Sequence, residues 1–263
     1  MKFVRFADEQ HPNGVYGLVE SGEVHVLRGH LFEPPEKTGE TLSESSITRY
    51  LPPVDPPNIL AFGVNYRDHA GETGSKVPEQ PLLFLKATSA LIAHGDNIVI
   101  PQAAPQCVDY EAELVVVMGK RARNVSADEA LGYVFGYACG HDVTARDCQR
   151  GDGQWARAKS FDTFAPVGPY VVTGLDPAAL RVQMRLNGAV MQDQPVADMI
   201  FSVPCLISYL SQGMTLLPGT LIYTGTPSGV GVGRTPPVFL KPGDVCEVAI
   251  DGIGVLRNIV VAS

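Results

Sequence analysis

Apolar positions along the chain fall mostly in short runs or alternate with polar ones, and few stretches carry helical spacing. Residues 3–6, 15–19 and 24–27 read as strands between Gly, Pro and Asn turns. The segment Leu51-Pro52-Pro53-Val54-Asp55-Pro56-Pro57 follows, and stacked prolines continue neither a helix nor a sheet ladder. It is the expected linker between a small N-terminal β-rich domain, 1–55, and a larger domain, 56–263. Beyond it, residues 82–85, 97–100 and 111–118 are further apolar strands. Asn187-Gly188 and Asp251-Gly252 supply hairpin turns between period-two patterns, and Cys246, Val248 and Ile250 alternate with Val245, Glu247 and Ala249. Helices are short. Ser126 with Glu129 forms a capping box, and Thr144 with Asp147 marks another short start. Ser202 caps a third helix, with Pro204 in its first turn, Leu206, Ile207 and Leu210 on one face, and Gly213 as its stop. Strands and helices do not alternate as βαβα, so the expected class is strand-rich α+β rather than doubly wound or a TIM barrel.

Composition narrows the partners. A formal net charge of −8 disfavours a nucleic-acid surface, which needs clustered Lys and Arg to displace counterions from phosphates. An acidic chain that takes an acidic small molecule must gather positive charge locally, as a metal or as a few placed basic residues. Charged residues interrupt the first apolar run, and no run is long enough to span a membrane, so a cytoplasmic protein with no membrane partner is expected. The five cysteines lack C-x-x-C spacing, which argues against a disulfide framework and a structural zinc site.

The most informative segment is Asp109-Tyr110-Glu111-Ala112-Glu113-Leu114-Val115-Val116-Val117-Met118. In a strand, Glu111 and Glu113 share a face with Val115 and Val117, while the other face is also apolar. Two such carboxylates either reach solvent at the strand's end or are buried and paired, protonated or metal-bound. Asp142, after the apolar run 133–139, is either a turn cap or a third ligand. Three carboxylates without His or Cys select a hard cation such as Mg²⁺, Mn²⁺ or Ca²⁺, with positions left for water and substrate. His69 and Glu72 share a face if their segment is one helical turn, and a carboxylate beside an imidazole fixes its tautomer and raises its basicity.

Six ordered motifs give the chain a resemblance: Gly63-Val64-Asn65-Tyr66-Arg67-Asp68-His69, Leu83-Phe84-Leu85-Lys86, Tyr110-Glu111-Ala112-Glu113-Leu114, His141-Asp142-Val143-Thr144-Ala145-Arg146-Asp147, Ala158-Lys159-Ser160-Phe161-Asp162 and Thr224-Gly225-Thr226-Pro227. Together, across about 56–261, they resemble the fumarylacetoacetate hydrolase family. The run from Gly229 to Lys241 is most similar to its domain-containing-protein-two branch. The resemblance implies a mixed β-sandwich roll, usually in a homodimer, with Mg²⁺ or Mn²⁺ held by Glu111, Glu113 and Asp142. It implies a 2-oxo acid substrate chelated through its 1-carboxylate and 2-oxo oxygens, with His69 and Glu72 as the catalytic dyad. Lys159 matches the lysine that stabilises an enolate, Arg146 and Gln149 match contacts to the substrate's distal oxygens, and Thr226 matches a carboxylate-binding residue. Lys86 matches a motif lysine that either binds substrate or neutralises the carboxylates.

The expected activity is enolisation of small 2-oxo acids or diacids, as in a hydroxyhepta-diene-dioate isomerase or oxaloacetate tautomerase. C–C hydrolysis of acylpyruvates and oxaloacetate decarboxylation share its first steps, and a non-catalytic binding module is the alternative from another class. The glycine-rich run 225–233 lacks the G-K-[ST] of a phosphate loop and is expected to lie close to the substrate. His141 is expected to be structural, and Trp155 to be core or rim packing.

Overall fold

The computed structural model describes residues 1–263 and is dominated by strands. The larger sheet has eleven strands. From one edge, its hydrogen-bonded order is Glu36–Ser43, Glu23–Arg28, Val15–Glu20, Lys2–Phe6, Ala165–Val172, Val134–His141, Ala112–Met118, Leu221–Tyr223, Ile59–Gly63 and Leu82–Lys86, with Leu91–Ile92 beside Ala165–Val172. A five-stranded sheet runs Ala189–Pro195, Arg181–Leu186, Val245–Ile250, Gly254–Ala262 and Asn97–Ile100. Pairing is mixed. Leu221–Tyr223 lies parallel to Ile59–Gly63, and Gly254–Ala262 parallel to Asn97–Ile100, among antiparallel neighbours. The small sheet packs on the middle of the large one, where Ala112–Met118 and Val134–His141 meet Arg181–Leu186 and Val245–Ile250. This is the strand-rich α+β class expected from the apolar pattern.

Ala112–Met118 is the central strand, and all of its residues are buried. Its lack of alternation reflects cover on both faces. Each buried Val or Leu side chain contributes about 1.5–3 kcal/mol relative to exposure, so this strand holds both layers in place. The proline segment forms neither strand nor helix. Across it, Lys2–Phe6 pairs antiparallel with Ala165–Val172, so the N-terminal strands continue the large sheet instead of standing apart.

Of four local readings, one holds and three differ from the structure. The Asn187-Gly188 turn is a two-residue hairpin with both residues at positive φ, as its sequence predicts. The second hairpin instead closes between Ile250 and Gly254, so three residues, Asp251, Gly252 and Ile253, form its loop. Ser202 stands at the N-cap of Val203–Gly213 without a side-chain cap bond, and Gly213 is the last helical residue. Thr144 caps no helix: it pairs with Asp109 in a two-stranded ladder, and its hydroxyl donates to the Asp142 carbonyl.

The two edges of the large sheet differ in chemistry. Glu36–Ser43 is polar and exposed along its length, with charged residues that discourage further pairing. Leu82–Lys86 exposes Leu82 and Leu85 at the opposite edge.

Candidate active site

Glu111 immediately precedes the central strand, and Glu113 lies two residues on, so both side chains leave the same face. The neighbouring strand supplies the third carboxylate. His141 pairs with Ala112, and the Asp142 N–H then donates to the Glu111 carbonyl at 2.9 Å, closing the ladder at its end. Ligand atoms of Glu111, Glu113 and Asp142 all lie within 4.8 Å of one another, and all three residues are buried. Of the two readings left open by the sequence, the solvent-exposed one is excluded.

Three buried cations answer them. The Lys159 ammonium donates to Glu111 Oε2 at 2.6 Å and to Asp142 Oδ2 at 2.5 Å, and Lys86 donates to Asp142 Oδ1. Arg146 donates through Nε to Asp109 Oδ2 at 2.8 Å and through Nη1 to Gln149 Oε1 at 2.9 Å, while its Nη2 lies 2.7 Å from Glu111 Oε1. Burial alone would push the Glu111 carboxyl up, but Lys159 and Arg146 outweigh it and hold it well below the usual carboxylate range. For Glu113 burial is reinforced by the charges of Asp142 and Glu111, and its carboxyl is pushed well above that range. Burial works against the Lys159 ammonium too, yet Asp142 and Glu111 more than offset it and raise its pKa. Lys86, sealed from solvent, is lowered by burial that Asp142 offsets only in part.

The donor set fits a metal. Four carboxylates (Asp109, Glu111, Glu113, Asp142) meet three cations (Lys86, Lys159, Arg146) in a buried space, which leaves one negative charge unmatched. Glu113 is the carboxylate that no lysine or arginine touches; its Oε2 accepts only the Gly225 N–H, at 2.8 Å. Oxygen donors alone suit a hard cation.

A cavity of about 420 Å³ opens over this cluster, with Glu111, Lys159, Thr226, His69, Glu72 and Arg146 on its wall. His69 and Glu72 lie in the helix Arg67–Thr73, one turn apart, and His69 Nδ1 is 2.9 Å from Glu72 Oε1. The other Glu72 oxygen accepts the Gly229 N–H at 2.8 Å. With Nδ1–H donating to the Glu72 carboxylate, Nε2 is left as the basic nitrogen, and it has no partner within the chain.

One sequence expectation changes. Lys86 does not line the cavity; its side chain is fully buried beneath Asp142, so it neutralises the carboxylates and does not reach substrate. Of the two readings of Trp155, core or rim packing, the structure gives the rim: it stands on the cavity wall. Its ring lies so close to Gly63 that a Cβ there would sit 2.0 Å from it, so the bare glycine is what admits the indole. His141 matches its structural reading. It is buried, and burial together with the charge of Lys86 holds it neutral, with its pKa pushed down to about 3.

Sequence reasoning missed Asp109. Fully buried, it accepts Arg146 Nε and the Val232 N–H through one oxygen, and the N–H groups of Gly231 and Tyr110 through the other. It thereby ties Arg146 to the glycine-rich loop. Gly231 is required there, since a Cβ would lie 1.9 Å from the Val238 carbonyl oxygen and 2.5 Å from Asp109. Gln192 was missed as well. Its Oε1 accepts the Ala112 N–H at 2.9 Å, while its Nε2 donates to Thr226 Oγ1 at 2.7 Å. Nothing in local spacing marks either residue, because each acts across more than 30 positions of chain.

Two outcomes follow from this charge arrangement. Glu113→Gln keeps an acceptor for Gly225 and removes like-charge repulsion, so the metal-free melting temperature should hold or rise. The stabilisation by added metal, about 2.7 kcal/mol at a hundredfold excess over Kd, should vanish; a large fall in the metal-free melting temperature contradicts the arrangement. Asp109→Asn turns a donor toward buried N–H groups and weakens the Arg146 pairing, which should cost on the order of 3 kcal/mol in denaturant unfolding. A loss under about 1 kcal/mol would show that Asp109 is not a structural tie.

Comparison with known proteins agrees with this geometry. Residues 58–261 match the family model described as fumarylacetoacetate (FAA) hydrolase C-terminal, and residues 1–53 match one described as Rv2993c-like, N-terminal. The chain is 43% identical to the oxaloacetate tautomerase YisK of Bacillus subtilis over 265 residues, covering 96% of this chain and 88% of that protein. It is 44% identical to the mitochondrial oxaloacetate tautomerase FAHD2A of Bos taurus, covering 84% of this chain and 71% of that protein. The crystal structure of 2-hydroxyhepta-2,4-diene-1,7-dioate isomerase from Mycobacterium marinum superposes with a TM-score of 0.89 at 37% identity, covering 100% of this chain and 99% of that one. The chain belongs to the fumarylacetoacetate hydrolase family.

Proposed function

We propose that this protein is a divalent-metal-dependent isomerase or tautomerase that moves a proton next to the 2-oxo group of a small 2-oxo acid, with Mg²⁺ as its ion and Mn²⁺ as a substitute. The observation that carries this reading is one cavity wall that holds the His69–Glu72 pair beside Lys159 and Glu111, the member of the carboxylate cluster that reaches the cavity. The names of the tautomerase relatives and of the isomerase neighbour support proton relocation over bond cleavage.

Glu111, Glu113 and Asp142 would hold the ion, which when bound supplies Lewis-acid polarisation of the 2-oxo group. The chain's own residues do the rest. His69 Nε2 takes the proton from the carbon beside the oxo group and returns it, and the Glu72 carboxylate stabilises the imidazolium formed in between. Lys159 stays protonated, with two of its three N–H groups on Glu111 and Asp142, and turns the third toward the enolate oxygen. The Thr226 hydroxyl donates to the Ala112 carbonyl at 2.9 Å, so its proton is committed. The substrate carboxylate is met instead by the Thr226 backbone N–H, which has no partner within the chain. Trp155, Phe62 and Val232 give the wall apolar surface that limits water near the enolate.

The exposed leucines of the edge strand Leu82–Lys86 support a homodimer as the working assembly, because an unpaired apolar edge invites pairing with a second copy. Leu85→Lys should then shift the sedimentation of the protein toward the monomer; an unchanged sedimentation coefficient places the contact elsewhere.

The activity is tested by adding Mg²⁺-loaded protein to the enol form of oxaloacetate and following the loss of enol absorbance. The expected result is accelerated ketonisation, reduced about 10²–10⁴-fold in His69→Asn with metal binding intact. Release of pyruvate would indicate a decarboxylase, and cleavage of acetylpyruvate a hydrolase. Intact Mg²⁺ binding without turnover of any of them would make the protein a binding module.

A further inference from the structure

Five residues other than glycine hold a positive φ: Ser21, Val64, Asn124, Thr163 and Asn187. Left-handed backbone is strained for a side chain branched at Cβ and accessible to glycine or asparagine. Four of the five have a local reason for it. Ser21 and Asn187 turn two-residue hairpins, each followed by a glycine. Asn124 is an asparagine whose side chain accepts from Arg123, and the Thr163 hydroxyl accepts the Val99 N–H at 2.9 Å. Val64, at φ +52°, has no polar side chain that could be satisfied in this way.

Packing does not offset the strain either. Val64 is half-buried, and its side chain neither belongs to the apolar core nor packs against it. Its neighbours hold the backbone in place. Gly63 lies against the Trp155 ring, which a Cβ there would meet at 2.0 Å. Asn65 is buried and tied on two sides: its Nδ2 donates to the Phe201 and Thr224 carbonyls at 3.0 and 2.7 Å, and its Oδ1 accepts the Phe201 N–H at 2.8 Å. Between these fixed points the chain passes from the strand Ile59–Gly63 to the helix Arg67–Thr73. Glycine at position 64 would make that passage without strain. What glycine would lack is a side chain on the cavity wall, where Val64 stands with Phe62, His69 and Val232.

We propose that Val64 is a specificity-determining residue, held in a strained conformation so that its isopropyl group forms part of the cavity wall and limits the bulk of the substrate's carbon chain. The class admitted is the slender 2-oxo acids, and aryl-substituted ones are disfavoured. This rests on the 2-oxo acid reading above and adds a steric determinant to it. Strain without a packing return persists where the surrounding structure over-determines a functional conformation. An apolar wall discriminates by about 10- to 200-fold for one methylene.

The test follows ketonisation of the enol forms of oxaloacetate and phenylpyruvate by the Mg²⁺-loaded full chain, by Val64→Gly and by Val64→Ile, with a thermal melt of each. The readout is the ratio of kcat/KM for oxaloacetate to that for phenylpyruvate. Val64→Gly should lower the ratio about tenfold or more by improving phenylpyruvate, and its Tm should hold or rise as the strain is relieved. Val64→Ile should raise the ratio about tenfold with its Tm within about 2 °C, because the added methylene meets the cavity and not the core. A ratio that stays within about twofold in both variants while the native protein is active overturns the assignment of Val64 alone. A fall of more than about 5 °C in the Tm of Val64→Gly would mark a packed side chain and overturn it as well. A native protein that ketonises neither enol overturns the 2-oxo acid reading, and the proposal with it.

Discussion

Burying Glu113 beside Glu111 and Asp142 is the constraint on which the rest of the site depends. Burial and like charge both oppose its ionisation, and neither lysine nor arginine reaches it. The surrounding structure answers with donors. Lys86 and Lys159 hold Asp142, Lys159 and Arg146 hold Glu111, and a backbone N–H of the glycine-rich loop holds Glu113. The same loop presents N–H groups to Glu72 and Asp109, so one backbone segment receives carboxylates from the His69–Glu72 pair, the buried cluster and the partner of Arg146. Glycines are needed because the backbone approaches so closely that a Cβ at Gly231 or Gly233 would press on Asp109 or Glu72.

The fold makes this arrangement rigid. The carboxylates leave the ends of two adjacent strands in the middle of the large sheet, which the small sheet covers. His69 and Glu72 come from a short helix just after a strand of the same sheet, and Lys159 and Arg146 come from the segment that follows the second of the two carboxylate-bearing strands. Strand ends fix positions to within the tolerance that acid–base chemistry needs, and the short helix and loops bring polar groups to the rim.

Much of this was legible in the sequence. The apolar run at 112–118 announced a strand covered on both faces, and the two glutamates at its start could be placed on one face from the period of two alone. The three-residue spacing of His69 and Glu72 foretold their contact. Ordered motifs then supplied the family and its chemistry. Long-range ties were not legible. Asp109 reaches Arg146 and the 231–232 backbone, and Gln192 reaches Ala112 and Thr226, through contacts that depend on register between distant strands. Resemblance gave Lys86 to the substrate, whereas its burial beneath Asp142 turns it to holding that carboxylate; Arg146 stands on the cavity wall and also pairs with Asp109 and Glu111. The closeness of Trp155 to Gly63 was not legible for a similar reason: the ring fits against a glycine more than 90 residues away.

The central claim is that the buried carboxylates form a cation site, with Lys86, Lys159 and Arg146 matching all but one of their charges. The most direct measurement is an anomalous difference map from crystals equilibrated with Mn²⁺. The account expects one strong peak per chain, bounded by oxygens of Glu111, Glu113 and Asp142, with Lys159 still in contact with the cluster. A map without a peak there at saturating Mn²⁺, with Lys159 still bridging Glu111 and Asp142, would contradict it.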